Sequence, residues 1–252
     1  MSRTIAFANQ KGGTGKTTTV INLAGALAEM GQRLLVVDAD PQGSLSIGLG
    51  VDVAALEQNL YHVMVHGVPI QDIIVSVREN IDVAPTNIYL SVADLQLAGE
   101  IRREDRLKNA LKIIKDNYDF VLIDCPPSLG LLTINALSAA EQVIIPMSCD
   151  YYAMVGVRLL LDTIARIQTQ LNPDLKILGV LPTRYDRRTT HAREVLEEAH
   201  SKLGAHIHVF DPPIRETVRF KEASVAAQLI TEYSNSHPGA EDYRSLAKEI
   251  LR

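Results

Sequence analysis

The sequence predicts an α/β fold, a mostly parallel sheet with helices on both faces. Three observations predict it. Short apolar runs alternate with helix-period stretches along most of the chain. Several of those runs are near-continuous Val, Ile and Leu, as expected of strands covered on both faces. A glycine- and lysine-rich loop separates the first strand pattern from the first helix pattern. Repetition of strand, helix, strand implies parallel pairing with right-handed crossovers.

In chain order, the strand patterns are 4–8, 33–38, 81–84, 120–124, 142–147 and 176–182. Helix patterns occupy 16–30, 103–117, 131–140, 155–171 and 192–203. Segment 43–80 is less regular and is expected to form short helices beside the sheet. The last helix, about 240–251, carries Tyr243, Leu246, Ala247, Ile250 and Leu251 at helical spacing. Packing on the domain is expected of it rather than membrane anchoring, because Glu241, Asp242 and Glu249 replace the basic polar face an anchor needs. No repeat, low-complexity tract or Gly/Ser-rich linker interrupts the pattern, so residues 1–252 read as one domain.

A chain of 252 residues with 46% apolar and 22% charged residues is ordinary for a folded protein, which excludes disordered and collagen-like classes. No run approaches the roughly 18 apolar residues of a membrane helix. The first residues enter a strand pattern directly, without the layout of a secretory signal. Two cysteines, Cys125 and Cys149, cannot build a disulfide framework or a four-cysteine zinc site. A reducing cytoplasm is the expected location. The net charge of −5 is, by itself, a weak argument against a nucleic-acid partner.

The loop reads Lys11-Gly12-Gly13-Thr14-Gly15-Lys16-Thr17-Thr18. Glycines let the backbone turn tightly and aim its N–H groups inward, and the helix N-terminus that follows favours anions; together they hold phosphate oxygens. Lys16 supplies a point charge for β- and γ-phosphates, and the Thr17 hydroxyl suits Mg²⁺. The usual first glycine of a G-x-x-x-x-G-K-[ST] loop is replaced by Gln10, and a second lysine, Lys11, stands at the mouth.

Two carboxylate sites follow at strand ends, where an open parallel sheet places its ligand. Asp38 and Asp40 are two apart and share a face if the strand continues through both. Beside Mg²⁺ and a triphosphate they can divide two jobs, one holding metal-bound water and one orienting the attacking water. Asp124 ends the buried run Val121-Leu122-Ile123, a Walker B pattern that reaches Mg²⁺ through water. Cys125 reads as a packed small residue in preference to a nucleophile.

The loop resembles the deviant Walker A motif of the ParA/MinD superfamily, and with it a P-loop NTPase-like fold. Asp38-Ala39-Asp40-Pro41-Gln42 and the stretch Asp124 through Thr133 are similar to further motifs of that group. Asn135-Ala136-Leu137, Ile145-Pro146, Tyr151-Tyr152-Ala153 and Val218 through Ala223 look like the chromosomal ParA/Soj branch, so the likeness covers essentially the whole chain. It implies a short ParA-type ATPase domain without an N-terminal DNA-binding extension. It also implies catalytic roles for Lys11 in trans across an ATP-dependent homodimer, Lys16 in cis and Asp40 on the attacking water. Nucleotide contacts then run over Lys11, Gly12, Gly13, Thr14, Gly15, Lys16, Thr17 and Thr18, with Ile214, Arg215 and Thr217 at the adenine. Thr17, Asp38 and Asp124 serve Mg²⁺, the last two through water. The branch commonly reads I-P-R-N-V-R where this chain has Ile214-Arg215-Glu216-Thr217-Val218-Arg219.

Charge is uneven. Residues 183–221 hold eight Lys/Arg against six acids, or +2, and the rest of the chain is −7. The arginines cluster at 184–193 and 215–221, and the acids are expected mostly on the helix between. If the two loops meet, they form a patch suited to phosphate contact without base readout. In Soj-like proteins, residues at positions matching Arg188 and Arg219 bind DNA, and Lys221 joins them here. The resemblance thus implies a nucleoid-associated ATPase whose dimer binds nonspecific double-stranded DNA and is released by a ParB-like partner. Alternatives are a MinD-like membrane-associated ATPase and ParA-like positioning of a protein cargo.

Overall fold

A computed structural model of the chain describes residues 2–150 and 153–252, so Tyr151 and Tyr152 of the branch motif lie outside the described residues. Among the described residues, seven strands form one sheet: β1 Arg3–Phe7, β2 Leu34–Asp38, β3 Val75–Arg78, β4 Ile81–Ala84, β5 Phe120–Asp124, β6 Gln142–Ser148 and β7 Lys176–Thr183, in the order β3-β4-β2-β5-β1-β6-β7. All pairings are parallel except β3 with β4.

The α-helices are α1 Lys16–Glu29, α2 Ser44–Gly48, α3 Leu60–His66, α4 Ala93–Gln96, α5 Arg106–Leu111, α6 Leu131–Ala139, α7 Ala153–Gln170, α8 Thr190–Lys202, α9 Arg219–Val225, α10 Ile230–Tyr233 and α11 Pro238–Leu251. They divide between the two faces as strand alternation requires. Ile5, Phe7, Leu34, Val36 and Leu122 pack with α1, α2 and α9 to α11. Ala6, Leu35, Val37, Val121 and Ile123 pack with α3 to α8. This double covering explains why the strand runs read as continuously apolar.

Two expectations need correction. Segment 43–80 contains α2, α3 and a 3₁₀ turn, but it also ends in the antiparallel edge strand β3. Val75-Ser76-Val77 alternates as a half-buried strand should, and Asn80 turns the chain at φ 63° into β4. The 103–117 helix is interrupted: α5 is flanked by 3₁₀ turns at Arg103–Asp105 and Lys115–Asn117. Asn135 on α6 imposes the first break, because its amide donates to the Arg103 carbonyl and its Oδ1 accepts from the Leu107 N–H.

The last helix packs as expected, with Tyr243, Leu246, Ala247 and Ile250 buried, while Leu251 lies exposed. Tyr243 reaches Thr19 on α1 at 3.5 Å, and Arg244 pairs with Glu29 at 2.7 Å. Among the described residues, no helix is long and apolar enough to cross a membrane.

Asn172, between α7 and β7, is buried and donates to the carbonyls of Leu137 (3.0 Å) and Ala140 (2.7 Å) at the end of α6. Asn172→Ala strands two buried acceptors, at a cost of about 1–3 kcal/mol. Calorimetry is expected to show a Tm lower by about 2–4 °C for each kcal/mol lost.

Candidate functional site: a phosphate loop over paired carboxylates

Parallel register brings three strand ends level. Phe7 of β1 lies opposite Asp124 of β5, and Asp124 lies opposite Asp38 of β2. The loop leaving β1 therefore arches directly over two aspartates. Gly13 and Gly15 take positive φ values of 71° and 81°, a region other residues rarely enter, and Gly15 caps α1. No side chain caps that helix, so its first N–H groups are left without a side-chain acceptor at the cap.

Asp124 is fully buried. Its Oδ2 accepts from the Thr17 hydroxyl at 2.6 Å, and its Oδ1 has no hydrogen-bond partner. Burial, then the neighbouring Asp38, raises its pKa well above the usual carboxylate range. Asp38 is equally buried and pushed up to about 7, chiefly by desolvation. Two bonds from Ser46, N–H at 2.8 Å and Oγ at 2.7 Å, oppose that shift. Asp40 is half-buried beside them and accepts the Gln42 N–H at 3.0 Å.

The buried Lys16 ammonium lies back on the loop, donating to the Lys11 carbonyl at 3.3 Å. Desolvation lowers its pKa, and Asp124 opposes that. Lys11 points elsewhere: its ammonium pairs with Asp150, just beyond β6, whose other oxygen accepts from Ser148 at 2.7 Å. Cys125 is buried with its thiol pKa raised by desolvation, which fits a packing residue.

A cavity of about 280 Å³ opens from the loop, lined by Gly13, Gly15, Thr18, Ile214, Thr217 and Tyr243 among others. Gly13, Gly15 and Thr18 of the predicted loop thus share one concavity with the 214–217 segment, whereas Lys11, Gly12, Thr14, Lys16 and Thr17 do not line it. Ile214 is buried, while the Arg215 side chain is turned onto Asp242 of α11 at 2.7 Å through both Nε and Nη2. Sequence reading missed Asp242, Ser46 and Thr183. The Thr183 hydroxyl donates to the Thr14 carbonyl at 2.8 Å and braces the loop from β7. Distance along the chain hides two of them, with Thr183 and Thr14 169 positions apart and Arg215 and Asp242 27 apart, while Ser46 stands only eight from Asp38.

The two basic loops do meet: the Tyr185 N–H donates to the Ile214 carbonyl and the Glu216 N–H to the Tyr185 carbonyl, both at 3.0 Å. The expected separation of acids from arginines is corrected, however. Arg184 pairs with Glu216 (3.0 Å), Arg188 with Asp186 (2.8 Å) and Arg219 with Glu222 (2.7 Å). Arg188 holds the Asp186 carboxyl down at about 2. Lys221 is exposed at the outer lining of the cavity.

Sheet order, glycine loop and paired carboxylates define a P-loop NTPase-like α/β protein. An AAA-domain family model (AAA_31) matches residues 2–177. The sporulation initiation inhibitor protein Soj of Bacillus subtilis is 47% identical, with 99% of this chain and 98% of that protein aligned. The chromosome partitioning protein ParA of Caulobacter vibrioides is 41% identical over 99% of this chain and 94% of that one. A Mycobacterium smegmatis structure named cobyrinic acid a,c-diamide synthase, with bound ATP analog and magnesium, superposes with a TM-score of 0.89 at 41% identity, covering 100% of this chain and 95% of that one. The chain belongs to the Soj/ParA family.

Sign follows from the Asp38 shift. With a native pKa near 7 against 3.8 unfolded, the proton bound to Asp38 stabilises the fold at low pH, and that contribution fades as pH rises through 7. Asp38→Asn, which cannot ionise, is expected to gain stability relative to wild type across that window, by up to on the order of 4 kcal/mol. Thermal melts of the ligand-free protein from acid to neutral pH check it; parallel curves for the two proteins would contradict it.

Proposed function

We propose that the chain is an ATP-dependent partitioning ATPase that uses ATP and Mg²⁺. The observation that carries this reading is the convergence of the phosphate loop, Lys16, the Thr17–Asp124 pair and the 280 Å³ cavity at one end of the sheet. The triphosphate lies in the loop, with N–H groups of residues 12–18 and the Lys16 ammonium on its oxygens. Ile214 and Thr217 border the space for adenine, and Arg215 shapes it through Asp242.

The residues fit Mg²⁺. Asp124 Oδ1 is a buried acceptor without a partner, and the Thr17 hydroxyl stands against the same carboxylate. Among the described residues, no three His, Cys, Asp or Glu side chains form a ready chelate, in keeping with an ion held by one hydroxyl, phosphates and waters. Asp38, engaged by Ser46, supports this shell from behind. Bound Mg²⁺ neutralises charge on the phosphates. Asp40, at the open side of the carboxylate pair, orients the water that attacks the γ-phosphate and releases ADP and phosphate. Lys11 leaves Asp150 to reach the phosphates of a second copy in an ATP-bound homodimer.

Dimerisation doubles the surface carrying Arg188, Arg219 and Lys221, so weak contacts to DNA phosphates add by avidity. A ParB-like partner accelerates hydrolysis and the dimer separates. The working location is the cytoplasm, on the nucleoid, with a chromosome or plasmid as cargo. Support comes from the names of the Soj and ParA relatives. The synthase name of the Mycobacterium smegmatis structure favours a second reading, an ATP-consuming synthase. ATP turnover that needs a small-molecule acid, and neither DNA nor a partner protein, would select it.

Asp40→Ala is expected to bind ATP and form a dimer that stays on DNA, with phosphate release falling by at least about 100-fold. Wild-type turnover in that variant would remove Asp40 from the catalytic role. Arg219→Ala is expected to keep ATP binding and lose about one unit of the salt slope for DNA binding, measured by fluorescence anisotropy on unrelated duplexes. ATP-dependent pelleting with liposomes, and none with DNA, would replace this reading with the membrane-associated one.

A further inference from the structure

Arg184 stands where two parts of the molecule meet. Its backbone is left-handed, at φ 53°, a conformation uncommon for a residue with a side chain. Such outliers persist where the surroundings over-determine them, and they gather at functional sites. Here both flanks are fixed. On one side, the Thr183 hydroxyl holds the Thr14 carbonyl. On the other, the Tyr185 N–H holds the Ile214 carbonyl, and the Glu216 N–H holds the Tyr185 carbonyl.

The guanidinium completes the bridge. Nη1 donates to the Gly13 carbonyl of the phosphate loop at 3.4 Å, and Nη2 donates to Glu216 at 3.0 Å. Arg184 and Glu216 both line the 280 Å³ cavity, and this bridge links the phosphate loop to the 214–217 wall. Four residues further on is Arg188, in the same loop. A molecule seated in the cavity meets the Arg184 side chain, and any shift of that side chain acts on the ladder that holds Tyr185 to Ile214.

We propose that Arg184 is a positioning residue that carries nucleotide occupancy of the phosphate loop to the basic loop 185–188. It rests on the reading of the cavity as a nucleotide site. With nucleotide bound, the Gly13–Arg184–Glu216 bridge is fixed, and the 185–188 loop is fixed with it. With the site empty, the bridge opens and closes in solvent, since Arg184 and Glu216 are each about half exposed. Arginine suits the task because its fork can serve a carbonyl and a carboxylate at once.

Hydrogen exchange of the full chain, with and without ADP and Mg²⁺, tests this in wild type, Arg184→Met and Glu216→Gln. In wild type, nucleotide is expected to slow exchange across residues 12–18 and also at the Tyr185 and Glu216 amides, by about fivefold or more. With nucleotide raised until each variant is saturated, both are expected to show the slowing at 12–18 and to lose it at Tyr185 and Glu216. A merely structural role would alter exchange equally with and without nucleotide. Slowing at Tyr185 and Glu216 that survives both substitutions, or that is absent in wild type while 12–18 is protected, overturns the proposal. No protection of 12–18 in wild type would instead sink the nucleotide reading itself. Glu216→Gln keeps the Gly13 contact, so it tests the bridge even if Arg184→Met does not fold.

Discussion

Three parallel strands that end level, at Phe7, Asp38 and Asp124, set the terms for everything above them. That register places two carboxylates side by side in a fully buried layer, where charge is costly. The protein answers with groups that favour the ionised carboxylates: two donors from Ser46, the Thr17 hydroxyl and the nearby Lys16 ammonium. One oxygen of Asp124 is left without a hydrogen-bond partner, and the proposed Mg²⁺ role rests on it. One slip in the ladder would turn Asp124 to the other face of the sheet and separate it from Thr17.

The cavity wall depends on a second anchor. Segment 211–217 is a loop, yet Arg215 is fixed to Asp242, and Asp242 belongs to a helix whose next residue, Tyr243, is buried against α1. Because α1 begins at the glycine-rich loop, the helix that follows this loop and the helix that steadies the 214–217 wall are packed together. The two halves of the concavity are built from opposite ends of the sequence and held by one helix pair.

Legibility followed the range of the interactions. The phosphate loop is local, since glycines, lysines and threonines within eight residues carry its chemistry, and it could be read directly. Strand interiors were legible because burial on both faces leaves only apolar residues. Strand β3 was missed although Val75-Ser76-Val77 alternates and Glu79-Asn80 is a tight turn; its half-exposed edge position diluted the apolar signal. The interruption of 103–117 was illegible, because Asn135 on another helix causes it. Neutralisation of Arg188 and Arg219 had a local trace in Asp186 and Glu222, two and three residues away, which a segment-wide count of charge averages out.

Those short-range pairs make the basic loops resemble an ion-exchange resin already loaded with its counter-ions. Arg188, Arg219 and Arg184 each carry a carboxylate from their own chain. A polyanion can gain them only by displacing an acid that is tethered and cannot diffuse away. Cations freed from the polyanion still favour each contact, but loss of the ion pair already made offsets much of that gain. Each exchange is close to even, and the displaced acid remains at hand to reclaim its arginine. Such a surface favours brief, easily reversed residence over tight capture.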